Sequence, residues 1–223
     1  VQCDSLINDI LRKAKKYDVP VKSISRKKLD EISERGSHQG VMAETKPFDY
    51  VNVTTILEAA EKSAAEHDGR ALIVVLDHLT DAGNLGAIAR SAESVGACGI
   101  IIPNKRAAHV TAATYKSSAG AIAHIPVSQV ANISTCLDRL KKEGFWVAAA
   151  TEHAQEYVWD ANLKGRIVLV MGNEGEGVSR LVLESCDFGV KLPQVGDISS
   201  LNVAQASTAC MYEWLRQNRT AAE

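Results

Sequence analysis

Three stretches carry polar residues whose types and spacing could do chemistry. In residues 77–92 (DHLTDAGNLGAIARSA), Asn84 stands at a helix start and Arg90 follows six residues on, nearly two turns down. Residues 172–177 (GNEGEG) set Glu174 and Glu176 among three glycines, and consecutive backbone N–H groups in such a turn form a donor array for a ligand. Residues 198–202 (ISSLN) put Ser199, Ser200 and Asn202 at the opening of a long helix. An amide, a guanidinium, carboxylates and hydroxyls around a Gly-lined pocket can hold a cofactor and orient a polar substrate. Plainer readings stand beside this one. Asn84 could simply cap its helix. Arg90 could pair with Glu93 at i+3 on a solvated face. The glycine loop could be a solvent-facing turn, and capping accounts for one serine of the third stretch. The residues by themselves name no reaction.

Several chemistries are excluded by what is missing. There is no G-x-G-x-x-G dinucleotide fingerprint and no G-x-x-x-x-G-K-[ST] phosphate loop. The six histidines show no H-E-x-x-H or comparable ligand spacing, so no structural or catalytic metal is expected. G-x-S-x-G is absent, which argues against a serine hydrolase. No apolar run nears the ~20 residues of a membrane helix, and no signal peptide opens the chain. Cys3, Cys98, Cys136, Cys186 and Cys210 are odd in number and scattered, so core packing in a reducing, cytoplasmic compartment is expected. The net charge of -2 does not announce a nucleic-acid binder. Its distribution says more: Arg12, Lys13, Lys15, Lys16, Lys22, Arg26, Lys27 and Lys28 outnumber the acids around them. That is either a local phosphate-binding face or a solvated helix face.

The elements that must position these residues follow from periodicity. Residues 4–16 read as a helix, 19–24 as a strand and 26–32 as a second helix, too little to enclose a core of their own. Residues 45–49 read as linker and 53–67 as an amphipathic helix. From residue 70, strands are expected at 71–76, 99–102, 121–127, 145–150, 167–171 and 188–192. Helices are expected at 85–95, 110–118, 134–142 and 179–183, and a long one opens at Leu201. Alternating strands and helices predict a mostly parallel sheet covered on both faces. Ligands of such sheets sit at the carboxyl ends of strands, where the glycine loop falls.

In the same order, residues 84–93 (NLGAIARSAE), 170–178 (VMGNEGEGV) and 199–204 (SSLNVA) resemble the three motifs of the SpoU (TrmH) family of RNA ribose 2′-O-methyltransferases. The resemblance spans residues 70–218. Residues 35–43 (RGSHQGVMA), with the basic segment before them, are similar to the end of the small L30e-like RNA-binding domain of a subgroup that modifies large-subunit ribosomal RNA. The usual opening strand and helix of that domain are missing here. The resemblance implies an α/β SPOUT fold with a C-terminal trefoil knot, behind a partial L30e-like substrate-binding domain. The implied division is 1–45 for that domain, 46–69 for linker and helix, and 70–223 for the methyltransferase domain. It implies S-adenosylmethionine as cofactor, with backbone at Gly172, Leu192 and Leu201 holding the adenosine and Thr151, Asn173 and Pro193 nearby. Asn84, Arg90, Glu174, Ser200 and Asn202 fall on the family's functional positions. Arg90 would grip a phosphate and the nascent alkoxide, Glu174 and Asn202 would hold the loop and ribose, and Ser200 would cap the last helix. Arg12, Lys16, Arg26, Lys27, His38, Gln39 and Arg90 are the expected RNA contacts. A homodimer is implied, one subunit's first motif completing the other's site. A guanosine of 23S ribosomal RNA is the favoured target; tRNA, a base-methylating relative and a non-catalytic RNA-binding protein of the same fold are the rivals.

Overall fold

The structure, a computed structural model, describes residues 2–33, 38–197 and 200–219, the side chains of residues 2–4 apart. Ser199 and residues 35–37 of the RGSHQGVMA stretch therefore lie outside the described residues. Two compact units divide the chain, residues 1–47 and 48–223.

The first unit holds helix α1 (Gln2–Lys16) and helix α2 (Arg26–Ile32). Ser25 caps α2 by accepting from the Lys28 backbone N–H at 3.2 Å. The expected strand at 19–24 is not formed. Val19, Val21 and Ile24 stand 45–57% exposed, and no described strand runs beside them to complete a ladder. Alternating apolar residues make a strand only where a partner takes their N–H and C=O groups.

The second unit begins with helix α3 (Val53–Glu66) and continues as β1 (Ala71–Leu76), α4 (Ala82–Ser94), β2 (Gly99–Pro103) and α5 (Ala112–Ser117). After β3 (Val127–Val130), α6 (Ile133–Lys142) and β4 (Trp146–Ala150) comes a two-residue strand, β5 (Glu156–Tyr157). β6 (Arg166–Met171), α7 (Arg180–Glu184), β7 (Phe188–Lys191) and α8 (Val203–Asn218) complete it. The seven strands lie in the order β3-β2-β1-β6-β4-β7-β5, and every pairing is parallel. Residues 121–127 do not form one strand: Ala121–Ala123 is a 3-10 turn, and the ladder starts only at Val127.

β1 and β6 are central and buried along almost their whole length, which is why each reads as an unbroken apolar run. Their side chains alternate between two cores. On one face Leu72, Val74, Leu76 and Leu169 meet Leu85, Ile88 and Ala92 of α4 and Met211 and Trp214 of α8. On the other, Ile73, Val75, Val168 and Val170 meet Ile56 of α3, Leu137 of α6 and Val182 of α7. Because all strands run the same way, the ends of β1, β6, β4 and β7 open on one edge of the sheet.

Candidate active site

At that edge a cleft of about 460 Å³ opens between the ends of β4, β6 and β7 and the start of α8. This lies within the ~300–1,000 Å³ typical of small-molecule sites. Its apolar wall includes Met171, Leu183, Leu192, Leu201, Val203 and Ala206, and its polar wall includes Thr151, Glu152, His153, Glu174, Glu176 and Ser200. Gly172 and Asn173 line it as well; Pro193 is exposed and is not part of the lining. Cys210 closes the floor, and burial pushes its thiol up to about 12, so no thiolate forms there near neutral pH.

The glycine loop keeps its shape through Asn173. The Asn173 Oδ1 accepts from the N–H groups of Gly175 (2.8 Å) and Glu176 (2.7 Å), while its backbone exchanges both bonds with Gly177 at 3.1 and 3.2 Å. Gly172 is obligatory by contact: a Cβ there would sit 2.0 Å from the Gly177 carbonyl carbon and 2.2 Å from the Val178 nitrogen. The far end of the loop is pinned to β1, since the Ser179 N–H donates to Asp77 Oδ2 at 2.7 Å. Asp77 is buried, and its other oxygen lies 2.6 Å from His78 Nδ1. The sequence showed Asp77 only as the polar end of a strand, and its partner is 102 residues away.

The three polar stretches meet at the rim. The Asn84 Nδ2 donates to Glu174 Oε1, and the Asn202 Nδ2 donates to Asn84 Oδ1 at 3.1 Å. Asn84 is free to do this because it is not the cap of α4. Asp81 is the cap, accepting from the Asn84 backbone N–H at 2.6 Å. Ser200 likewise does not cap α8, correcting that expectation: Asn202 does, its Oδ1 accepting from the Ala204 N–H at 3.0 Å. Ser200 is exposed and lines the cleft instead.

Arg90 belongs to another face. Six residues at 100° each place it about 120° around α4 from Asn84 and ~9 Å along the axis. It is exposed, and no ion pair joins it to Glu93 among the described residues. The two helices that carry Asn84 and Asn202 are laced together below the rim, where the Ser91 and Thr208 hydroxyls lie 2.7 Å apart. Gly86 allows the crossing of α4 over α5, since a Cβ there would meet Ser117 Oγ at 2.0 Å and the Thr114 carbonyl at 2.6 Å.

In the first unit Lys16, Arg26 and Lys27 are exposed, whereas Arg12 pairs with Asp9. His38 is held by its fold: Nδ1 accepts from the Gly40 N–H at 2.9 Å, which leaves the ring proton on Nε2, 2.8 Å from Asp30 Oδ1. Gln39, beside it, has a left-handed backbone and is exposed. No described group of three His, Cys, Asp or Glu could hold a metal ion. No described helix is long and apolar enough to cross a membrane.

A parallel α/β sheet with a glycine loop, a cofactor-sized cleft at its strand ends and a polar trio on the rim defines a cofactor-dependent enzyme of the doubly covered α/β class. Residues 71–212 match the profile of the SpoU rRNA Methylase family, and residues 2–51 match that of "RNA 2'-O ribose methyltransferase substrate binding". The chain belongs to the SpoU family, and it is an S-adenosylmethionine-dependent RNA methyltransferase. A Bacillus subtilis protein placed in the TrmH family of tRNA/rRNA methyltransferases is 39% identical over 96% of this chain and 84% of its own. The SpoU methyltransferase AviRb from Streptomyces viridochromogenes, solved in complex with AdoMet, is 32% identical with a TM-score of 0.63, over 67% of this chain and 58% of that one. An AdoMet-bound rRNA methyltransferase from Sinorhizobium meliloti shares the fold at a TM-score of 0.75 and 23% identity, over 97% of this chain and 79% of that one.

The cleft fits the cofactor. Its apolar wall suits an adenine ring, and the Glu152, Glu174 and Glu176 carboxylates suit a sulfonium and an ammonium.

Proposed function

We propose that this enzyme methylates the 2′-hydroxyl of a ribose, that of a guanosine of 23S ribosomal RNA, as a homodimer in which Arg90 of one copy serves the cleft of the other. The observation that carries ribose over base is the match of residues 2–51 to a ribose-methyltransferase substrate-binding domain. By the same reading, residues 1–45 recognise RNA through Arg12, Lys16, Arg26, Lys27, His38 and Gln39. Residues 70–223 do the chemistry, joined by 46–69, and the segment after β7 threads a trefoil knot. The buried thiols Cys98, Cys136 and Cys210 fit a reducing, cytoplasmic compartment.

When bound, S-adenosylmethionine supplies an electrophilic methyl on a sulfonium. The chain's own residues then have two tasks. Aligning oxygen, methyl and sulfur is the first, and a rigid rim achieves it: Asn84, Glu174 and Asn202 brace the glycine loop against both helix starts. Thr151, Gly172, Asn173, Leu192 and Leu201 line the cleft and would hold the cofactor, with Pro193 nearby and Ser200 free to reach the cofactor or the ribose. Stabilising the developing alkoxide is the second. An arginine stays protonated, so Arg90 acts as a donor to the alkoxide and the neighbouring phosphate and not as a base.

The test is incubation of the protein with S-adenosylmethionine and unmodified 23S ribosomal RNA or tRNA, followed by digestion to nucleosides and mass spectrometry. 2′-O-methylguanosine from the ribosomal RNA is expected. A methyl on a base, or none on either RNA, overturns the reading. The relatives' naming as tRNA/rRNA methyltransferases is what favours tRNA as the second reading.

A further inference from the structure

Beside the cleft, on the same edge of the sheet, the loop between β2 and α5 carries Lys105 and Arg106 at its tip. Both are exposed, and neither side chain makes an ion pair or hydrogen bond among the described residues. In the neighbouring β1–α4 loop Asp77 is buried and holds Ser179 and His78, while Asp81 is exposed and caps α4. Lys105 and Arg106 thus put two exposed cations on an edge whose cleft side carries the carboxylates Glu152, Glu174 and Glu176.

The backbone on either side of those two residues is anchored. The Asn104 N–H extends the ladder to the Val130 carbonyl at 2.9 Å, and the Ala108 N–H ties the loop to the Leu79 carbonyl at 2.6 Å. Further on, the Val110 N–H donates to the Tyr50 hydroxyl at 2.8 Å, and His109 Nδ1 lies 2.9 Å from Gln129 Nε2. Between these anchors Arg106 takes a left-handed backbone, φ 54°. Glycine or asparagine is the ordinary occupant of that conformation, and an arginine there is strained. Its side chain, rather than its backbone fit, explains its place.

We propose that Lys105 and Arg106 form a phosphate-gripping ridge that holds the RNA strand flanking the reactive nucleotide. The geometry suits it. Strands stand ~4.8 Å apart, and β2 is two strands from β6, so the ridge lies on the order of 10 Å from the glycine loop along the sheet edge. A nucleic-acid backbone seated there continues from the cleft without crossing the core, and the loop-borne guanidinium and ammonium meet its phosphates directly. The inference rests on the RNA-methyltransferase reading and adds to it a surface outside the cofactor site and outside the first unit.

Phosphate contacts are sequence-independent, so a short unstructured fluorescent RNA serves as probe. The Lys105→Ala/Arg106→Gly variant is compared with wild type by anisotropy over a salt series, with Lys142→Ala on α6 as control. The slope of log affinity against log salt is expected to fall by about 1.4, roughly 0.7 per lost cation on a single strand, and the control to match wild type. Because glycine suits φ 54°, the variant's Tm should equal or exceed that of wild type, and S-adenosylmethionine binding by calorimetry should not change. An unchanged slope, the same loss in the Lys142 control, or no binding of the probe by wild type overturns the ridge. Wild type that binds the probe but transfers no methyl to either RNA would instead sink the functional reading and leave the ridge standing.

Discussion

Arg90 and Asn84 share one motif yet face different ways, and that separation makes their variants distinguishable. Arg90→Ala removes a donor that touches nothing else described, so calorimetry with S-adenosylmethionine should read wild-type affinity. Turnover should drop at least ~100-fold, the scale of one lost transition-state donor. Near-normal methylation by that variant would take Arg90 out of the chemistry. Asn84→Ala breaks the link between Glu174 and Asn202 and should loosen the glycine loop, weakening cofactor affinity as well as turnover. Gly172→Ala is harsher, since its Cβ has only backbone to meet; measurable cofactor binding by that variant would contradict the loop geometry. The buried thiols should be slow to react: burial holds Cys136 at about 11 and Cys210 at about 12. Labelling at pH 8 in native buffer should leave Cys210 unmodified until the protein is denatured.

Helix α8 fixes the position of Asn202, and its far end is what anchors it. Asn218 accepts from the Gly165 N–H at 2.7 Å and donates to the Leu163 carbonyl at 2.8 Å, while Gln217 accepts from the Leu163 N–H at 2.9 Å and donates to the Ala161 carbonyl at 3.0 Å. Asn218→Ala strands two partly buried backbone groups and should cost about 1–3 kcal/mol in denaturant unfolding. Glu213, buried on the same helix, is held below the usual carboxylate range, chiefly by Arg216 and then by Gln217. A depressed folded-state pKa stabilises above the ordinary value of 4.5 and loses that contribution as pH falls through the folded value. Glu213→Gln should therefore lower Tm at pH 7, and the gap to wild type should narrow as pH falls below 4.5. A gap independent of pH would mean that packing, not charge, is what Glu213 contributes. The Gln217 and Asn218 anchors are illegible in sequence because each joins residues some fifty positions apart. Legible were the runs at 71–76 and 167–171, whose burial on both faces leaves no polar interruption, and the three motifs at strand ends and helix starts. The cap expected at Ser200 falls to Asn202, and the open reading of Asn84 as a cap gives way to Asp81, since several capping types stand side by side. Residues 19–24 alternate like a strand, but alternation does not report whether a neighbour exists to pair with.

At the scale of the molecule, strand order was beyond the sequence, yet it decides the site. Placing β6 between β1 and β4 brings the loop after residue 171 against Asp77, and placing β7 beyond β4 closes the cleft with Leu192. One protomer thus assembles the cleft and the Asn84–Glu174–Asn202 rim by itself, while Arg90 points off around α4. If a second copy supplies the guanidinium, activity should be recoverable from two inactive parents. Arg90→Ala keeps an intact cleft, and Thr151→Trp fills the cleft while leaving Arg90 in place. Co-expressed at equal levels, the two chains assort so that half the dimers are mixed. Each mixed dimer holds one intact cleft facing one intact Arg90, which restores about a quarter of wild-type activity. If Arg90 served its own cleft, no pairing of the parents would contain a complete site, and the mixture would be as inactive as either alone.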